Sequence, residues 1–139
     1  MSRDRLTAAE RSKNMSRVRN RDTAPELAVR RLLHRAGYRF RLHRRDLPGK
    51  PDIVLPRWRL AIFVHGCFWH GHEGCRRAAL PSARQEFWSS KIGRNRARDA
   101  TASAALQALG YKVLTLWQCE LKDPEEVLAR TRRITGSGE

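Results

Sequence analysis

The chain has 139 residues, which is enough for one domain with a single core and too few for two. It carries 29 lysine and arginine residues against 14 aspartate and glutamate residues, a formal net charge of +15. This excess favours a polyanionic partner. No long amphipathic segment with a basic border, signal peptide or transmembrane run is found, so we expect nucleic acid rather than a membrane, in reducing cytoplasm.

The first 22 residues are basic and short of bulky apolar side chains, as in Arg11-Ser-Lys-Asn-Met-Ser-Arg-Val-Arg-Asn-Arg21. Such a segment buries little by itself, so we expect an arm or a partly ordered helix over 1–22. It is either a solvated tail or a phosphate or groove contact, and its charge favours contact. A folded domain should span 23–135, and the glycines near the C-terminus predict a frayed end over 136–139.

A first helix is predicted at Thr23-Ala-Pro-Glu26, which is a capping box with proline in the first turn. Apolar residues follow at helical spacing, and Gly37 ends the helix. Alternation of apolar and basic residues then predicts a strand over 38–43 with one solvent-exposed face. His43 lies on that face and is expected to be only a surface residue.

The turn Leu47-Pro-Gly-Lys-Pro51 precedes a short apolar strand that Asp52 begins. The run Leu60–Val64 is too continuously apolar for a surface strand, so it should be central in its sheet and deliver His65 at its end.

A long helix is predicted over 84–109, with a stripe available for burial that consists of Phe87, Ile92, Ala100, Leu106 and Leu109. A strand over 112–121 should follow. Asp123-Pro-Glu-Glu126 caps a final helix that runs to about Arg133. The predicted order is α-β-β-β-α-β-α, a single mixed α/β domain of the α+β kind with a mixed sheet.

The segment from His65 to Cys75 holds three of the five histidines and two of the three cysteines. Cys67, His72 and Cys75 suit one tetrahedral Zn²⁺, and Cys119 can close a structural site as the fourth ligand. The alternatives are ordinary buried thiols, or a disulfide framework, which three cysteines make less plausible.

If zinc takes these ligands, His65 and His70 remain beside it as candidates for proton transfer. They could instead be solvated, or be zinc ligands themselves. Spacing alone does not exclude an exchange of His70 for His72.

Together, several strings resemble those of the very-short-patch repair (Vsr) mismatch endonucleases, and the similarity extends from about Arg11 to Cys119. The matching residues are Pro51-Asp52, Phe63-Val-His65-Gly-Cys67-Phe68-Trp69-His70, His72, Cys75, Phe87-Trp88, Lys91-Ile92, Asn95 and Arg98-Asp99. The resemblance implies a PD-(D/E)xK nuclease fold, that of the restriction endonucleases. It also implies an enzyme that nicks the strand beside the thymine of a T:G mismatch, the product of 5-methylcytosine deamination.

The resemblance further implies catalytic Mg²⁺, held by Asp52 and by the backbone carbonyl of Val64, where relatives often carry threonine. His70 would activate or orient water, and His65 would contact phosphate or a metal-bound water. This agrees with the chemistry, since phosphodiester hydrolysis needs a hard cation and a base near the attacking water. Taken alone, Asp52 could be only a turn residue. Glu26 matches a family active-site acid, although the capping box already explains it.

Phe68 and Trp69 lie in a polar loop flanked by glycines, so we expect their rings to be exposed. For DNA binding, the resemblance makes Phe68, Trp69 and Trp88 a wedge between base pairs at the weakened mismatch. Phe87 and Trp88 could instead be helix core, which is the expectation for Phe87. Lys91, Asn95 and Arg98 share a helix face that either contacts phosphate or is merely solvated. Asp99 pairs with an arginine or orders an active-site histidine.

Three hypotheses remain: a mismatch-nicking enzyme, a PD-(D/E)xK nuclease with another target, and a catalytically inactive zinc-stabilised DNA-binding protein. We expect a monomer, because an asymmetric lesion needs one active site. A functional link to a cytosine methyltransferase and to mismatch repair proteins is also expected. The bases that flank the mismatch are not readable from the sequence.

Overall fold

The computed structural model describes residues 23–136. The predicted N-terminal arm, and all but the first residue of the predicted frayed end, lie outside these residues. Within them, no helix is both long and apolar enough to cross a membrane.

Helix α1 spans Ala24–Arg35, and the Thr23 Oγ1 atom accepts a hydrogen bond from the Glu26 backbone N–H at 3.3 Å. The capping-box prediction is therefore half right. The Glu26 carboxylate turns instead towards Arg30 and His43 and is buried. Val29 and Leu33 share that buried face, so α1 packs through one apolar stripe that ends in an acid.

The sheet has four strands in the order β1 (Arg41–Leu42), β2 (Ile53–Leu55), β3 (Leu60–His65) and β4 (Lys112–Trp117). Strand β2 is antiparallel to both of its neighbours, whereas β3 and β4 are parallel. Strand β3 therefore lies inside the sheet, as its continuous apolar run predicts. The mixed α/β class is confirmed.

Two predicted strands are longer than the observed ones. Strand β1 is only two residues long, and the Leu42 side chain is 38% exposed instead of facing the core. Strand β4 ends at Trp117, where a 3₁₀ turn over Gln118–Lys122 begins. This turn bends the chain back, so that Cys119 lies beside the loop that follows β3.

Helix α2 spans Gln85–Ala108, and helix α3 spans Pro124–Thr135 with its N-terminus capped by Asp123. The predicted stripe of α2 is partly wrong: Phe87, Ala100 and Leu109 are exposed. The buried residues of α2 are Ile92, Asn95, Ala102 and Leu106. Only the last two belong to the core beneath the sheet, because the first half of α2 lies over the loop after β3.

Both faces of the sheet are covered, which explains why β3 is apolar along nearly its whole length. Leu60 and Ile62 join the core with α1 and α3, and Ala61 and Phe63 join the core with α2. The strand therefore holds His65 rigidly at its carboxyl end, where the loop rich in histidine and cysteine begins.

Candidate active site and metal centre

A half-buried carboxylate lies across from the end of β3. Asp52 precedes β2, and its Oδ2 atom accepts a hydrogen bond from the Val64 backbone N–H at 2.8 Å. Burial raises the pKa of Asp52 from 3.8 to about 7, the hydrogen bond from Val64 opposes this shift, and the charge of Glu26 adds to it. A bound cation would keep this carboxylate ionised at neutral pH, so its environment suits an oxygen ligand for a divalent metal.

A second acid lies beside the first. Glu26 is 2% exposed, and its Oε2 atom is 2.6 Å from both Arg30 NH2 and His43 Nε2. The ligand atoms of Glu26, His43 and Asp52 all lie within 4.8 Å of one another. The interpretation of His43 as a surface residue is therefore wrong: the tight backbone after β1, not the strand alternation, directs its ring inward.

Two histidines face these acids as a stacked pair. The rings of His65 and His70 are parallel to within 2°, and their centroids are 3.7 Å apart. The Nδ1 atom of His70 is 2.6 Å from Asp99 Oδ2, while the other oxygen of Asp99 is 4.0 Å from His65 Nε2. Asp99 thus contacts a histidine of this pair, which is the second of the two kinds of partner that the sequence left open.

The inner histidine of this pair is held neutral. Burial and, to a smaller extent, the neighbouring His70 lower the pKa of His65 to about 4, while Asp99 acts in the opposite direction. Within residues 23–136, the buried His65 Nδ1 atom has no hydrogen-bond partner. His65 can therefore accept or donate through an uncharged ring, whereas the outer His70 is the ring that a carboxylate orients.

The two acids, the histidine pair and Asp99 open onto one cleft of about 540 Å³. Its lining includes Glu26, Asp52, both histidines and Asp99, together with Lys50 and Arg98. Acids that can hold a hard cation, imidazoles that can exchange protons and basic side chains that attract phosphate thus meet in a single space. These are the functional groups that a hydrolase acting on a phosphate ester needs.

An aromatic cluster adjoins the cleft, which two of its members, Phe68 and Trp69, line. The rings of Phe68, Trp69 and Trp88 meet edge to face with centroid separations of 5.3 to 5.7 Å. Trp69 is only 8% exposed, so the expectation that it is an exposed ring is wrong, while Phe68 and Trp88 are half-buried. Phe87, expected in the core, is 39% exposed, and the centroid of its ring is 4.1 Å from the Arg84 Cζ atom.

Lys91, Asn95 and Arg98, for which the sequence left phosphate contact and solvation open, do not all have the same environment. The buried Asn95 donates from Nδ2 to the Trp69 backbone carbonyl at 2.8 Å and accepts from Arg98 NH2 at 2.8 Å. Asn95 therefore fastens the aromatic loop to the helix. Arg98 is exposed at the cleft and Lys91 is half-buried, so these two cations remain the candidates for phosphate contact.

The four predicted zinc ligands come together in the structure. The ligand atoms of Cys67, His72, Cys75 and Cys119 all lie within 4.8 Å of one another, and this set could hold a metal ion. His70 lies instead with Asp99, so the exchange of the two histidines is not what the structure has. Three sulfurs and one imidazole are the donors that tetrahedral Zn²⁺ prefers.

The surroundings of this cluster fit a cation. Burial raises the pKa of the Cys67 thiol to about 12, so a compensating positive charge is needed to make it a thiolate. The His72 ring stacks on Trp117 at 4.1 Å, which fixes its orientation. Gly71 has a φ of +61°, and a Cβ there would lie 2.6 Å from Ile92, so only glycine lets this loop approach α2 so closely.

Comparison with known proteins agrees with this geometry. The family model for the DNA mismatch endonuclease Vsr matches residues 3–77. The chain is 58% identical over 131 residues to the type II nicking enzyme V.XorIIP of Xanthomonas oryzae, covering 94% of this chain and 96% of that protein. It is 45% identical over 128 residues to the DNA mismatch endonuclease Vsr of Escherichia coli, covering 91% of this chain and 81% of that protein.

These relatives and the cleft define a DNA endonuclease. More narrowly, the chain belongs to the Vsr DNA mismatch endonuclease family.

Sequence reasoning missed two residues that contact the site, Arg30 and His43. Both act on the carboxylate of Glu26, which the capping box seemed to explain fully. The spacing of Arg30 four residues after Glu26 was a usable signal, since such a pair lies on one helix face. His43 carried no comparable signal, because its position depends on a backbone turn between β1 and β2.

Proposed function

We propose that this protein nicks one strand of duplex DNA beside the thymine of a T:G mismatch by Mg²⁺-dependent phosphodiester hydrolysis, and so initiates very-short-patch repair. The observation that carries the proposal is the half-buried Asp52 carboxylate, which lines one cleft together with the stacked pair of His65 and His70. The Escherichia coli relative, named a DNA mismatch endonuclease, supports the choice of lesion. We also propose that the sheet and its covering helices are a restriction-endonuclease-like core.

In this proposal, the Asp52 carboxylate and the Val64 backbone carbonyl hold Mg²⁺. Its donor set of hard oxygens fits the ion, and because burial raises the pKa of Asp52 to about 7, a bound cation would favour the ionised carboxylate. The bound ion would stabilise the negative charge that develops on the phosphate. The ligand at residue 64 is the backbone carbonyl oxygen, so valine would supply it as well as threonine does.

The two histidines act as a pair in which each ring has its own task. A carboxylate only accepts hydrogen bonds, so Asp99 holds the proton on His70 Nδ1 and leaves Nε2 free to take a proton from water. His65 stays neutral and stacked beneath it, where it can contact the scissile phosphate. Glu26 contributes a second negative charge beside Asp52.

Mismatch recognition is assigned to the aromatic cluster. Phe68 and Trp88 are half-buried and can move against bases, while the buried Trp69 supports them from behind. Unstacking costs less at a mismatch than at a matched pair, so aromatic contact can offset it there. Lys91, Arg98 and the net charge of +15 would supply phosphate contacts that do not depend on sequence.

The remaining parts of the proposal concern the metal cluster and the partners. We propose structural Zn²⁺ at the four-ligand cluster, which ties the loop after β3 to the turn after β4. A monomer suffices for a lesion on one strand. We also propose that the protein is functionally linked to a cytosine methyltransferase and to mismatch repair proteins.

A second candidate is a nicking endonuclease with a different DNA target. It is favoured by the names of relatives, since those from Xanthomonas oryzae and Neisseria meningitidis are called type II nicking enzymes. Nicking of end-labelled duplexes with a T:G mismatch, a T:A pair or a C:G pair separates the two candidates. Cutting of the T:G duplex alone supports mismatch repair, and equal cutting of all three supports the other target. Asp52→Ala should bind the duplex without cutting it.

A further inference from the structure

His43 holds an unusual place next to the cleft. Its backbone is left-handed, with a φ of +48°, a conformation that is uncommon for residues other than glycine and that histidine adopts more readily than most of them. Its backbone N–H donates to the Asp52 carbonyl at 3.1 Å, and its ring Nε2 is 2.6 Å from Glu26 Oε2. One residue therefore contacts the main chain of one cleft acid and the side chain of the other.

The direction of the contact with Glu26 follows from chemistry. An ionised carboxylate only accepts hydrogen bonds, and Glu26 Oε2 already accepts from Arg30 at 2.6 Å. His43 must therefore donate from Nε2. Two donors on one oxygen fix the plane and the rotamer of a carboxylate more firmly than one donor does.

The two residues differ in their access to the cleft. Glu26 contributes to the lining of the cleft, together with Asp52, whereas His43 is absent from that lining. The ring of His43 thus supports Glu26 from behind and does not itself face the space where DNA would react. Its side chain is 18% exposed, so the contact is partly sheltered from water.

We infer that His43 is a positioning residue that fixes the Glu26 carboxylate beside Asp52, an inference that rests on the proposed function. Outer partners that orient such side chains commonly change activity by about 10- to 100-fold when they are removed. The loss should fall on kcat, because His43 orients an acid of the cleft and does not bind DNA. It should also depend on Glu26 being present.

Two substitutions of His43 separate orientation from folding. Glutamine can place an amide nitrogen where Nε2 lies, whereas the shorter asparagine places it where Nδ1 lies and cannot support Glu26 in the same way. Asparagine also tolerates positive φ, so His43→Asn adds no backbone strain, and the thermal midpoint reports what the lost hydrogen bond to Glu26 costs the fold. The exposed His34 in the last turn of α1 offers the matched control His34→Asn.

The experiment measures nicking of a T:G duplex with Mg²⁺ by full-length protein, together with the thermal midpoint and the zinc content. We expect about a tenfold lower kcat for His43→Asn with little change in KM, near wild-type kcat for His43→Gln, and no effect of His34→Asn. In a Glu26→Ala background, His43→Asn should change kcat by less than about twofold, since the residue it positions is gone.

The inference is overturned if His43→Asn keeps full kcat, or if its effect multiplies with that of Glu26→Ala. It is also overturned if kcat falls only in proportion to folded protein. Asp52→Ala is run alongside as a separate test of the proposed function. Full nicking by Asp52→Ala contradicts that function itself, whereas loss of nicking there with an unaffected His43→Asn contradicts only the role of His43.

Discussion

Asp52→Asn removes a charge that destabilises the folded chain. Burial raises the pKa of Asp52 from 3.8 to about 7, so the folded state binds this proton more tightly than the unfolded state does. The stability that the protonated form provides is complete below about pH 4 and is lost as the pH rises towards 7. Above pH 7, the ionised carboxylate is therefore a net cost to folding until a cation binds.

The size of this cost follows from the same shift. The full difference in pKa corresponds to about 4 kcal/mol, and water that reaches this half-buried group reduces it, so we expect about 2 kcal/mol. Asparagine keeps the acceptor for the Val64 N–H and avoids the charge. For a chain of this length, a gain of that size raises the thermal midpoint by about 5 to 10 °C.

Thermal unfolding of both proteins at pH 5 and pH 8, with and without Mg²⁺, measures the effect. Without Mg²⁺, Asp52→Asn should be the more stable protein at pH 8, and its advantage should shrink at pH 5. Mg²⁺ should stabilise the wild type and leave the variant unchanged, and the variant should not nick DNA. The reasoning is refuted if the variant is no more stable at pH 8, or if Mg²⁺ stabilises both proteins equally.

Three further substitutions test other parts of the site. Cys119→Ser should lower zinc content and thermal stability together, because a closed structural site contributes to folding; unchanged zinc per chain would remove Cys119 from the ligand set. Phe68→Ala should reduce the binding preference for T:G over C:G duplexes by about tenfold through lost stacking, with zinc content unchanged. A preference as large as that of the wild type would contradict the wedge. Asp99→Asn should lower kcat by about 10- to 100-fold and alter its pH profile, since His70 loses the carboxylate that orients it; a wild-type profile would contradict that role.

The sequence predicted the parts of the fold that depend on local patterns. The central position of β3 follows from its unbroken apolar run, and it was found where expected, as were the limits of α2, although the apolar stripe predicted for that helix was partly wrong. Cys67, His72 and Cys75 were recognisable as candidate ligands because metal sites reuse short spacings, whereas Cys119 was assigned only as the remaining cysteine of the chain. Such signals lie within a few residues of one another in the chain.

Other parts depend on which element packs against which, and periodicity does not encode that. The side chains of Trp69 and Phe87 exchanged their expected environments, because the loop after β3 folds under α2 and leaves the start of the helix uncovered. The inward turn of His43 follows from a left-handed backbone between two short strands. Neither feature could be anticipated without the tertiary arrangement.

The most direct test of the central claim is a nicking assay on a T:G duplex labelled on one strand or on the other, with Mg²⁺ and with the Asp52→Asn protein as control. We expect a single nick beside the thymine, on the thymine strand only, and no nick in a C:G duplex or in the reaction with Asp52→Asn. Cleavage of the guanine strand, equal cleavage of the C:G duplex, or full activity of Asp52→Asn would contradict it.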